Sequence, residues 1–208
     1  MEINKKQIEF LEKNTDGTWT LNEETGLVDI EGDFNCSSKN LTDFKGVKFG
    51  LVTGCFDCSH NKLTSLEGAP QEVGGHFDCH YNMLTSLEGA PQEVGGDFSC
   101  HDNKLTSLVG APQKVGKYFW CQDNKLTSLE GAPQVVEGSF YCRYNPISGE
   151  TLNLVWETMQ EKKIDYWFAL SLLRSEIKSK DWEKLSKEFD DRLSKDAQKG
   201  ISMLGRFG

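Results

Sequence analysis

Residues Cys79–Asn103 read CHYNMLTSLEGAPQEVGGDFSCHDN, and the segment nearly restarts on itself before it ends. The block LTSLEGAPQEVGG occupies Leu63–Gly75 and recurs letter for letter at Leu84–Gly96. It returns as LTSLVGAPQKVGK from Leu105 and as LTSLEGAPQVVEG from Leu126. Cys58, Cys79, Cys100, Cys121 and Cys142 stand at an even spacing of 21. Self-similarity at a fixed period of this length is the signature of a solenoid. Each unit is too small to bury its own apolar side and must stack on its neighbours to do so.

Superposed on the leucine-rich pattern LxxLxLxxNxL, the copies fall in one register. Phe77 and Cys79 point inward, Asn82 takes the Asn position and Leu84 follows. The same reading gives Phe56/Cys58/Asn61/Leu63, Phe98/Cys100/Asn103/Leu105, Phe119/Cys121/Asn124/Leu126 and Phe140/Cys142/Asn145/Ile147. The first unit, Phe34/Cys36/Leu41, carries Lys39 in the Asn slot and lies 22 residues from the next. The Asn amide is expected to satisfy backbone groups where the chain leaves the strand. Gly68–Gln71 and its copies supply the outer turn, with Pro fixing φ and Gly relieving it.

The LTSLEGAP motif and the Gly-Gly-x-Phe-x-Cys strand resemble leucine-rich repeat proteins of tailed bacteriophages and prophages, a family mostly of undetermined function. The resemblance covers about residues 26–147. It implies an α/β solenoid of about six 21-residue repeats whose short parallel β-sheet lines a concave side.

Residues 1–30 read as an N-terminal cap: a short helix over Asn4–Asn14, then a β-hairpin of Thr18–Leu21 and Leu27–Ile30 around Asn22–Gly26. Such a hairpin covers the first open edge of the solenoid. Residues 31–147 form the solenoid. Residues 148–208 break the pattern and are predicted helical, with Leu152/Val155/Trp156/Met159, Tyr166/Trp167/Leu170/Leu173 and Trp182/Leu185/Phe189/Leu193 at helical spacing. They are expected to cap the last repeat or to serve as an interaction segment; in the alternative reading the chain is a structural or assembly component that self-associates through them.

The chain carries 23 Lys+Arg against 32 Asp+Glu, a formal net charge of -9. Residues 1–147 hold 12 basic and 21 acidic side chains, so the whole excess sits on the cap and repeats. With no basic stripe to displace counterions, nucleic acid is not an expected partner. Six of the seven cysteines take one repeat position, where neighbouring strands about 4.8 Å apart hold them too far apart for a disulfide. A ladder of buried thiols favours a reducing compartment. The N-terminal MEINKKQIEFLEKN has no apolar signal core, and no run approaches membrane-spanning length. These features predict a cytoplasmic protein without a membrane partner, in the host cytoplasm if the phage resemblance holds.

The residues flanking Phe and Cys point to the other side of each strand. They run Asp33, Asn35, Ser37, Ser38, then Cys55, Asp57, Ser59, His60, then His76, Asp78, His80, Tyr81. Asp97, Ser99, His101, Asp102 follow, then Tyr118, Trp120, Gln122, Asp123, and finally Ser139, Tyr141, Arg143, Tyr144. The turns repeat almost unchanged while this face diversifies. Aromatic and Arg side chains dominate interface hot spots. The expected partner-binding residues are therefore His76, Asp78, His80, Tyr81, Asp97, His101, Asp102, Tyr118, Trp120, Gln122, Asp123, Tyr141, Arg143 and Tyr144. The expected function is that of a non-catalytic scaffold binding a protein partner, with no cofactor. On the phage resemblance it is a binder or inhibitor of a host defence protein. An alternative is metal or small-ligand binding by His60, His76, His80 and His101 with Asp57, Asp78 and Asp97. No phosphate loop, GxSxG or dinucleotide fingerprint is present, and a pair such as Cys55 and His76 lacks a third group. No enzymatic activity is expected.

Overall fold

A computed structural model describes residues 3–127 and 129–147. The predicted helical cap over 148–208, and any self-association through it, lie outside the described residues.

The chain opens with α1 (Lys5–Asn14), set by a capping box in which Asn4 accepts the backbone N–H groups of Lys6 and Gln7 while Gln7 Oε1 accepts that of Asn4. Leu11 is fully buried, and Phe10 meets Phe34 edge-on at 5.5 Å between ring centres. β1 (Thr15–Leu21) and β2 (Val28–Asn35) then pair antiparallel, from Thr15↔Phe34 to Leu21↔Val28. Asn22 closes the connecting turn by accepting from the N–H groups of Glu24 and Thr25.

From β2 onward every pairing is parallel. β2 is long enough to start two columns at once. Its first half pairs with β3 (Phe49–Val52), through Val28↔Phe49 and Ile30↔Val52, and its second half with β4 (Phe56–Asp57), through Phe34↔Phe56. Above β4 stand β6 (Phe77–Asp78), β8 (Phe98–Ser99), β10 (Phe119–Trp120) and β12 (Phe140–Tyr141). Above β3 stand β5 (Glu72–Val73), β7 (Glu93–Val94), β9 (Lys114–Val115) and β11 (Val135–Val136). Between the columns the chain turns on the Gly-Gly pair. A Cβ on Gly95 would stand 2.2 Å from the Gly74 carbonyl of the coil before, so the backbones at this corner leave no room for a side chain.

The result is a parallel β-solenoid of about five turns. The expected α/β leucine-rich repeat architecture is not what the coils adopt. Among the described residues the helix α1 precedes the coils, and the side of each coil away from the Phe-x-Cys strand is turn and short strand. The reason lies in the GAPQ segment. Ala69, Ala90 and Ala111 close tight turns by donating to Leu66, Leu87 and Leu108. The glycines within them sit at φ 87° to 89°, and Pro follows each alanine without an N–H to offer. The next residue donates sideways, Gln92 to Gln71 and Gln113 to Gln92, so the backbone is committed to the neighbouring coil and not to an i→i−4 helical bond. The expected six repeats become about five turns because the first Phe-x-Cys strand, β2, belongs to the hairpin.

Three ladders run through the interior. Phe34, Phe56, Phe77, Phe98, Phe119 and Phe140 stack with centroid spacings of 5.2, 5.5, 5.3, 5.2 and 4.8 Å. Beside them the six aligned cysteines are buried free thiols. Burial pushes Cys36 up to about 12 and raises Cys58, Cys79, Cys100 and Cys121 as well, so these groups stay protonated and inert. The third ladder is Asn61, Asn82, Asn103, Asn124 and Asn145. Each amide holds two coils: Asn82 Nδ2 donates to the carbonyls of Cys79 and of Cys58 one coil back, while its Oδ1 accepts the N–H of Leu63. Lys39, in the Asn slot of the first unit, donates its ammonium to Asn35 O and Asn14 Oδ1 and closes the ladder against the cap.

Candidate functional site

The outward side of the β2–β12 column carries four rows of side chains, and each row has its own constraint. The first runs Asp33, Cys55, His76, Asp97, Tyr118. In it each side chain up to Asp97 accepts the backbone N–H of the next coil: Cys55 N to Asp33 Oδ1, His76 N to Cys55 Sγ, Asp97 N to His76 Nδ1 and Tyr118 N to Asp97 Oδ1. His76 and Asp97 therefore have a structural task. His76 Nδ1 acts here as an acceptor, and Asp97 Oδ2 approaches it at 3.3 Å. The weighed Cys55–His76 pair is a contact between a thiol and a main-chain N–H, not between a thiol and an imidazole.

The second and third rows interlock. Asp78 Oδ1 lies 2.9 Å from His80 Nδ1, and His101 Nδ1 lies 2.7 Å from Asp102 Oδ2. Burial raises the Asp78 carboxyl, but the hydrogen bonds from His80 and Ser99 and the positive character of His80 and His101 outweigh it, leaving the group below its ordinary value. The His80 and His101 rings stack at 4.5 Å, and His60 and Tyr81 stack beside them at 4.6 Å. Two coils on, Trp120 and Tyr141 lie parallel at 4.0 Å with Tyr118 packed edge-on against Trp120. Part of the aromatic content is thus used along the ladder itself.

The fourth row is conformationally unusual. Ser38, His60, Tyr81, Asp102, Asp123 and Tyr144 all have φ between 49° and 59°, the left-handed region. For L side chains other than Asn and Asp this costs about 1–2 kcal/mol. Gly or Asn would fit there with less strain, yet two coils carry tyrosines, and Tyr81 and Tyr144 are 49% and 66% exposed. Arg143 lies 5.7 Å over the Tyr144 ring. Burial and the neighbouring Asp102 raise the Asp123 carboxyl, against the opposing charges of His101 and Arg143.

These rows divide the fourteen predicted residues in two. His76, Asp78, His80, Asp97, His101, Trp120 and Gln122 line one shallow depression of about 490 Å³, together with Ser99. Tyr81, Asp102, Tyr118, Asp123, Tyr141, Arg143 and Tyr144 stand outside its lining. The fourteen do not include Ser99, read only as a position of the face, which is the floor, or His60, read only in the alternative ligand set, which completes the ring cluster around His80. The signal for Ser99 lay in its register, since Asp78, Ser99 and Trp120 occupy one slot in successive coils. A small side chain between two larger ones makes a hollow.

Among the described residues no three His, Cys, Asp or Glu side chains converge as metal ligands would. No helix of the described residues is long and apolar enough to cross a membrane. No protein-family model, curated protein or solved structure matches the chain.

Proposed function

We propose that the chain is a non-catalytic scaffold that binds a protein through the outward face of the β2–β12 column. The observation that carries this reading is the aromatic group at the C-terminal end of that face. Tyr118, Trp120, Tyr141 and Tyr144 sit on adjacent coils beside Arg143, with Tyr118 42% and Tyr144 66% exposed. Concentrated aromatic surface with one arginine is the composition of interface hot spots. Tyr144 is held there despite a left-handed backbone that favours smaller residues. The inward ladders explain the repeated residues and leave these unexplained. On the resemblance to phage repeat proteins, the partner would be a protein of the host cell.

The test is affinity capture from host lysate with the wild-type chain beside Trp120→Ala and Tyr141→Ala. Loss of a captured protein in both variants supports the reading. Unchanged capture in both removes the aromatic group as the binding surface.

A further inference from the structure

The depression over Ser99 has a relief and a chemistry that together specify an occupant. Its floor is the small, buried Ser99, and one wall is Trp120 in the next coil. Tyr141 covers one face of the indole at 4.0 Å, so the opposite face is the one turned toward the hollow. Asp78 stands on the far side and Asp97 on the flank. Gln122 closes the rim, and its Oε1 is shielded from solvent with no hydrogen-bond partner among the described residues. An acceptor left without a donor is costly, and rotation of this side chain toward the hollow lets a ligand supply one.

The oxygens at this place are acceptors, and the Nδ1 atoms of the nearest imidazoles already have partners. His80 Nδ1 is engaged with Asp78 and His101 Nδ1 with Asp102, while His76 Nδ1 accepts the Asp97 N–H. Charge runs the same way over the whole face. Among the described residues Asp33, Asp57, Asp78, Asp97, Asp102 and Asp123 stand in its rows against one Arg or Lys, Arg143.

We propose that this depression seats the guanidinium of an arginine, so that the partner meets the face through a basic segment. The proposal rests on the protein-binding reading above and names what the partner must carry. A guanidinium is planar, stacks on an indole face, and brings five N–H donors toward carboxylate and amide oxygens. An ammonium has the charge without the plane, and an anionic segment is repelled by Asp78 and Asp97.

The experiment titrates fluorescein-labelled hexa-arginine, hexa-lysine and hexa-glutamate with the full chain at low ionic strength, followed by anisotropy. Hexa-arginine binds more tightly than hexa-lysine, and hexa-glutamate does not bind. Ser99→Trp fills the hollow and Trp120→Ala removes its wall, and each weakens hexa-arginine by about tenfold. The double change Glu72→Gln with Glu93→Gln, on the other column, alters it by less than about twofold. Asp97→Asn keeps an acceptor for the Tyr118 N–H and weakens binding without disturbing the fold, which covers the case in which Ser99→Trp does not fold. Equal affinity for arginine and lysine peptides, equal loss in the Glu72/Glu93 variant, or no binding of hexa-arginine overturns the proposal. If the peptide fails while lysate capture stays sensitive to Trp120→Ala and Tyr141→Ala, the arginine assignment alone is lost. If capture is insensitive as well, the protein-binding reading goes with it.

Discussion

The two sides of one strand column obey different rules. Inward, Phe77, Cys79 and Asn82 have the same neighbours as Phe98, Cys100 and Asn103, because each meets its own kind one coil below and one coil above. Outward, His76, Asp78 and Tyr81 give way to Asp97, Ser99 and Asp102 one coil on, and only His80 and His101 match. A ladder of identical residues constrains every rung, since a change in one disturbs two interfaces. The outward rows are coupled more loosely and have been free to differ. Identity marks load and diversity marks use, and that contrast can be broken by substitution.

The largest effect is expected inside. Phe98→Ala opens a cavity between Phe77 and Phe119 and should cost about 3–5 kcal/mol in urea unfolding. Asn103→Ala removes the amide that donates to the Cys79 and Cys100 carbonyls and accepts from Leu84, leaving buried backbone groups unpaired, at about 3 kcal/mol. If either change costs less than about 1 kcal/mol, the ladders are not what holds the coils together.

Outside, the expected sign reverses. Tyr144→Asn puts a residue tolerant of the left-handed region where an exposed tyrosine now sits, and should raise stability by about 0.5–1 kcal/mol while reducing partner capture. A destabilised Tyr144→Asn would mean that the tyrosine belongs to the framework. The smallest effect concerns Asp78. Its folded carboxyl lies below the ordinary value, so its contribution is present above the unfolded-state pKa and is lost as pH falls through the folded one. Urea midpoints of wild type and Asp78→Asn should therefore differ at neutral pH and converge below the ordinary carboxylate range. A gap that persists in acid would exclude the His80 and Ser99 bonds as its source.

Much of the framework could be read from letters alone because its parts are copies: Phe, Cys and Asn recur at one spacing, and their burial follows from the stacking. The α/β architecture implied by the resemblance failed for a physical reason, one that agrees with the turn read at Gly68–Gln71. The Leu-x-x-Leu run suits a leucine-rich repeat, but Gly68 at φ 87° and Pro70 turn the chain before a helical bond can close. The face was visible as the set of non-repeating residues, yet two of its properties were not. That His76 and Asp97 accept main-chain N–H groups depends on the offset between coils, which letters do not carry. The left-handed row was hidden because Ser, His, Tyr and Asp share no sequence signal for it. Ser99 reads as a position of the face but not as a site residue, although being small between Asp78 and Trp120 is what gives the hollow its depth.

The Asn ladder also makes each coil depend on the one after it. Asn82 completes the coil before its own, by accepting the N–H of Leu63, and Asn103 does the same for Leu84. Each coil therefore stays one bond short until its successor arrives. With α1 and the β1–β2 hairpin laid down first, the coils that follow have a paired edge to wind on. A chain emerging from its N-terminus can coil as it is made, each turn serving as the template on which the next is finished.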